Sequence, residues 1–186
     1  GDEVKTIAST ASWWGQRVVC MAAVQNDWVL YSADVSQAFL QGMSFDEVAE
    51  LKGEVRRNVH FEVPPGSIPI LRMLDGSEEL DGGCAVLDVL RGGFGLKDAP
   101  RLWNMVFSEV LTGLSYYPCQ SDMEVMRKHV TREGQLTLVG LVARRVDNVK
   151  GAAEDAERET TLRSLEERFG KLKRESGSFG FVWHLL

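Results

Sequence analysis

Two acidic positions far apart in the chain have the surroundings needed for metal-assisted chemistry. Asp34 closes the apolar run 28–33 and stands in Ala33-Asp34-Val35-Ser36-Gln37-Ala38-Phe39-Leu40; much later, Val146-Asp147-Asn148 follows a second apolar run. A strand ending in Asp, a small residue and then an aromatic, paired with a distant Val-Asp, can gather carboxylates around divalent cations. Two ions about 3.5–4 Å apart activate an attacking hydroxyl and steady an in-line phosphoryl transfer. Magnesium takes hard oxygen ligands and keeps several waters, so a few carboxylates suffice. Asn148, a neutral amide, directly follows Asp147.

The elements that must carry these residues can be read from the pattern. A helix is expected over 9–26, with Trp13, Trp14, Val18, Met21, Ala22 and Val24 as its apolar stripe and the tryptophans as packing residues. A strand over 28–34 puts Asp34 where the backbone leaves the sheet. A strand over 55–63 is closed by Pro64-Pro65-Gly66, a loop covers 66–83, and 84–90 alternates as a strand. After the Gly-rich bend Arg91-Gly92-Gly93-Phe94-Gly95-Leu96-Lys97, Asp98 is the expected N-cap and Pro100 sits in the first turn of a helix. Trp103, Val106, Phe107, Val110, Leu111 and Leu114 give that helix its core face. A hairpin is expected over 122–130 and 135–143, with 146–150 continuing its second arm beyond a bend. A helix over 153–169, acidic at its start, basic at its end and stopped by Gly170, precedes one or two short strands in 172–186. The fold class is therefore α+β, a single domain with one antiparallel sheet and helices packed on one face.

Bulk composition restricts the function classes. The chain has 186 residues and 20.7 kDa, with 44% hydrophobic and 26% charged residues, as expected of one soluble domain with a full core. No apolar run approaches about 18 residues, and no signal peptide is visible, so an intracellular protein, cytoplasmic or nuclear, is expected with no membrane partner. Cys20, Cys84 and Cys119 are too scattered for a disulfide framework, and His60, His129 and His184 lack zinc-ligand spacing. The net charge of −6 argues against a broad basic face for nucleic acid and leaves room for a local strip.

Four ordered segments carry a resemblance. The run Ala33-Asp34-Val35-Ser36-Gln37-Ala38-Phe39-Leu40-Gln41-Gly42 is similar to D-V-x-x-A-F-L-x-G, and His60-Phe61-Glu62-Val63-Pro64-Pro65-Gly66 to x-M-x-Q-P-P-G-F. Phe94-Gly95-Leu96-Lys97-Asp98-Ala99-Pro100-Arg101-Leu102-Trp103 is similar to Y-G-L-K-Q-A-P-R-x-W, and Val146-Asp147-Asn148 stands where V-D-D is found. From about Thr10 onward, the chain thus resembles the reverse transcriptase domain of copia-type LTR retrotransposons. The resemblance implies a polymerase palm and fingers, an RNA-directed DNA polymerase activity, an RNA or DNA template-primer and deoxynucleotides as partners, and two Mg²⁺ or Mn²⁺ ions. It implies that Asp34 and Asp147 bridge the metals with help from the Val35 carbonyl, and that Asn148 is the degenerate catalytic position. Phe39 would exclude a 2′-hydroxyl. Gly95, Lys97 and Pro100 would shape the nucleotide site, and Lys171 or Lys173 would reach phosphates.

Three departures lower the expected activity. Asn148 removes one negative charge, a loss on the order of 10²–10⁴ in rate by analogy with other site residues. Arg144 and Arg145, just before Asp147, would repel cations; they are expected to hold nucleic-acid phosphates or to pair with Asp34 or Asp147. With Gly rather than Met at position 1, a fragment or a processed piece is expected, and the resemblance implies truncation at both ends. A fingers strand, thumb, RNase H, integrase and protease are expected to be missing, and the primer-gripping motif would begin near 181–184. The expectation is a weak or inactive polymerase fragment, or alternatively a non-catalytic remnant that binds nucleic acid or protein.

Overall fold

Continuous buried runs along the central strands Gln135–Arg145 and Asn148–Ala153 build a sheet with two buried faces. The computed structural model describes residues 9–64, 66–74 and 86–177. Six strands lie in one sheet: β1 (Val29–Asp34), β4 (Tyr117–Pro118), β5 (Val125–Arg132), β6 (Gln135–Arg145), β7 (Asn148–Ala153) and β8 (Lys173–Ser176). Their order is β4-β5-β6-β7-β1-β8, and every neighbouring pair is antiparallel. A separate two-stranded ribbon pairs β2 (His60–Glu62) with β3 (Val86–Asp88). The class is α+β, as the sequence predicts.

Helices cover both faces of the sheet rather than one, which corrects the expected layering. Val125, Leu141, Ala143 and Ala152 pack with Val19, Ala22 and Ala23 of α1 (Trp13–Asn26). Their strand neighbours Met126, Val142 and Ala153 face the other way. There they pack with Trp103, Val106, Phe107 and Leu111 of α4 (Ala99–Gly113) and Leu162, Leu165 and Phe169 of α5 (Asp155–Phe169). At about 1.5–3 kcal/mol for each fully buried large apolar side chain, the larger cluster dominates the core.

Of the stripe expected to bury α1, only Ala22 is buried. Trp14 is 71% exposed, Met21 60% and Val24 83%, and Trp13 and Val18 also face solvent. The buried face instead uses Gly15, Gln16, Val19, Ala22 and Ala23. A Cβ on Gly15 would fall 2.4 Å from Asp122 Oδ2, so α1 approaches its neighbours too closely for bulky residues there. Trp13 and Trp14 therefore do not pack into the core; the Arg17 guanidinium lies 4.2 Å and 5.4 Å from their ring centroids. Ser12 caps the helix by accepting from Gly15 N–H at 3.0 Å, so the helix starts later than the apolar pattern suggests.

Several local expectations also change. The strand expected over 55–63 shrinks to three exposed residues, and the loop expected at 66–83 contains the short α3 (Ile68–Leu71). Helix α2 (Phe45–Lys52) was not anticipated; its signal is the capping box between Ser44 and Glu47 and the left-handed Gly53 that ends it. Asp98 makes no capping bond and pairs with Arg57 instead. Residues 146–150 do not continue an arm: Val146 and Asp147 form a two-residue turn, and β7 folds back on β6. The hairpin between β5 and β6 turns through Glu133 (φ 51) and Gly134 (φ 79), as its turn residues suggest. Cys84, the acidic part of the 66–83 loop and the 181–184 segment lie outside the described residues.

Two glycines open space inside the larger cluster. A Cβ on Gly151 would meet the Tyr31 ring at 2.2 Å, and one on Gly140 would meet the Tyr116 hydroxyl at 2.6 Å. Strand glycines at such points admit a ring against the backbone. Burial drives the pKa of both tyrosines above the ordinary phenol value.

Candidate metal and nucleotide site

The strand register brings the two acidic segments together. Asp34, the last residue of β1, lies opposite Asn148, the first residue of β7. One residue further, the Val35 N–H donates to the Asp147 carbonyl at 3.0 Å. Asp147 thus sits at the tip of the β6–β7 hairpin beside the end of β1. Neither the Asp34 nor the Asp147 carboxylate has a hydrogen-bond or ion-pair partner among the described residues.

The hairpin tip is strained and clamped. Val146 has φ 51, a left-handed conformation that a β-branched residue seldom adopts. Its carbonyl accepts from the Trp103 indole N–H at 2.6 Å, so α4 holds the turn from the side. Trp103, Pro100, Arg144 and Val146 share a cavity of about 200 Å³. Residues kept in such backbone regions need their surroundings to over-determine them, and they cluster at functional sites.

Directly paired strand residues point to the same face of a sheet. Arg145 on β6, Asn148 on β7, Asp34 on β1 and Lys173 on β8 are consecutive partners and form one row on the α1 side. Cations therefore flank the central Asn148–Asp34 pair. The side-chain oxygen of Asn148 is buried and accepts no hydrogen bond. An orphaned buried acceptor next to two carboxylates suits a hard cation or an ordered water. The available donors are all oxygens: the Asp34 and Asp147 carboxylates, the Asn148 amide and the Val35 carbonyl. No group of three His, Cys, Asp or Glu side chains arranged for a metal occurs among the described residues. Oxygen donors of these types are the ones magnesium and manganese take.

Arg144 is not available for phosphates, and it pairs with neither Asp34 nor Asp147. Only 7% exposed, its guanidinium makes a 2.6 Å ion pair with the equally buried Glu124 and also bonds to Ser108 and the Asn104 carbonyl. Burial lowers its pKa and Glu124 opposes that shift. The strand pleat explains the difference from its neighbour: Arg144 faces α4 and Arg145 faces the acidic row. Nothing in the sequence singles out Glu124, because it lies in the turn before β5 and its partner Arg144 lies in β6. Trp103 was read only as core, and its indole bond to Val146 depends on the turn geometry.

The expected nucleotide-site residues form a second group. Phe39 lies in the 3-10 turn Ala38–Gln41, half-buried, with its ring 5.7 Å edge-on from Phe94 of the Gly-rich bend. Gly92 lies close enough to Ala99 that a Cβ would approach its Cα at 3.0 Å, which seats the bend on the start of α4. Gly95 has φ 90, and both it and Lys97 are exposed. Lys171 is exposed beyond α5, whereas Lys173 lies opposite Asp34. Cys20 and Cys119 are free thiols, and no helix among the described residues is long and apolar enough to cross a membrane. No family model, curated protein or solved structure matched the chain in any of the three comparisons made.

Proposed function

We propose that the chain is a palm-and-fingers fragment of a copia-type RNA-directed DNA polymerase whose nucleotidyl transfer is impaired. The observation that carries this reading is the pairing of Asp34 with Asn148 together with the Val35–Asp147 hydrogen bond, which joins two segments distant in sequence. The strained, Trp103-clamped turn at Val146 supports it, because it fixes Asp147 beside the end of β1.

In this reading Asp34 and Asp147 hold a magnesium or manganese ion, with Asn148 as a neutral third oxygen donor. Bound there, the metal would supply Lewis-acid stabilisation of the phosphoryl oxygens and activation of the attacking hydroxyl. The chain's own residues position the reactants. The ring of Phe39, backed by Phe94, would lie under the sugar of a deoxynucleotide and exclude a 2′-hydroxyl. Gly95, Lys97 and Pro100 would border the nucleotide, and Arg145 and Lys173 would offer charge to phosphates. Those two cations also weaken the attraction of the site for a divalent ion, and Asn148 adds no charge to offset them.

Primer extension on a homopolymer template in Mg²⁺ or Mn²⁺ tests the reading. Asn148→Asp is expected to raise Mn²⁺ affinity measured calorimetrically and to increase extension. Unchanged Mn²⁺ affinity in Asn148→Asp, with the fold intact, would remove the metal-site assignment. Wild-type extension within about tenfold of that of Asn148→Asp would contradict impairment at this position, since loss of a site residue costs on the order of 10²–10⁴.

A further inference from the structure

Away from the acidic row, α2 and α4 wall a groove of about 960 Å³. Met43, Leu51 and Met105 supply its apolar surface, and Glu47, Glu50 and Glu109 its charge. Glu47 is already committed: it accepts from the Ser44 N–H in the capping box, and Arg91 and Arg168 act on it. Glu50 and Glu109, one on each wall, are exposed and have no hydrogen-bond or ion-pair partner among the described residues. Leu51 is 67% exposed, a large apolar side chain beside those carboxylates.

We infer that this groove docks a cationic amphipathic helix, with apolar residues on the methionines and Leu51 and Lys or Arg against Glu50 and Glu109. A groove walled by two helices with an apolar floor suits a third helix, the usual helix-in-groove mode. Methionine adapts to varied apolar partners, which suits a floor that must receive more than one side-chain shape. The charge decides the partner class. Unpaired carboxylates on both walls repel the phosphates of nucleic acid and attract ammonium or guanidinium groups, and complementary charge also steers encounter. This inference does not depend on polymerase ancestry and concerns a different face.

The test uses the whole chain and a fluorescein-labelled Leu/Lys model helix of about four turns, read by anisotropy, with a Leu/Glu helix and single-stranded DNA as comparators. Micromolar binding of the Leu/Lys helix is expected, weakening with salt, with at least about tenfold weaker binding of the other two probes. The pair Glu50→Lys with Glu109→Lys is expected to weaken binding at least about tenfold, while Glu133→Lys with Glu167→Lys, equal in net charge, leaves it within about twofold. Leu51→Asp is expected to weaken it as well, and circular dichroism checks that each variant folds. The inference is overturned by equal binding of the Leu/Glu helix, by equal losses in the two charge-reversed pairs, or by no binding at all. Loss of binding only in Trp14→Ser, on exposed α1, would also overturn it.

Discussion

Replacing Arg144 with Met separates a structural from a nucleic-acid role for the arginine pair. The substitution keeps length and apolar stem but leaves Glu124 buried at 6% exposure, with only Ser9 and Asn104 as side-chain donors. Removing one partner of a buried ion pair costs about 3–5 kcal/mol, because the other charge stays desolvated. Unfolding entropy of about 2.1 cal/mol/K per residue gives roughly 0.4 kcal/mol/K for a chain of this length, so Tm should fall by about 8–13 °C. Adding Glu124→Gln should recover part of the loss. Arg145→Met, at an exposed position on the opposite face, should change stability by less than about 1 kcal/mol while lowering affinity for single-stranded DNA. Calorimetry and salt-dependent binding measure both effects. A Tm loss below about 3 °C in Arg144→Met, or weaker DNA binding by that variant with its Tm intact, would refute the reasoning.

Other outcomes follow from single contacts. Gly151→Ala should destabilise by about 1–3 kcal/mol in chemical denaturation, since its methyl would overlap the buried Tyr31 ring. Val146→Asn should stabilise the hairpin tip by about 1 kcal/mol, because Asn tolerates the left-handed backbone; a loss of stability would show that the valine side chain outweighs the strain. Hydrogen bonds with Ser44 hold the Glu47 carboxyl below its ordinary pKa of 4.5, and a bond with Arg132 does the same for Glu154. Both groups contribute stability above about pH 4.5 that is lost as pH falls through their lower folded values. Glu47→Gln, which preserves the capping geometry, should flatten that acid dependence in a pH series of thermal melts.

Where a long period repeats, local sequence patterns set which segments are helix and which are strand. The core face of α4 from Trp103 to Leu111, the β5–β6 hairpin at Glu133-Gly134 and the stop of α5 at Gly170 all rest on local patterns. Short elements were less legible: α2 is announced by its capping box rather than by an apolar stripe, and β2 is too brief for alternation to mark. Which side of α1 is buried was decided by the tertiary structure, because Gly15, Ala22 and Ala23 permit a close approach to the sheet that the tryptophans would block. For the candidate site, the residue types at 34, 147 and 148 were visible in the sequence, and their meeting depended on β1 pairing with β7. The opposite fates of Arg144 and Arg145 depended on the pleat, which turns adjacent side chains to opposite faces and leaves only one within reach of Glu124.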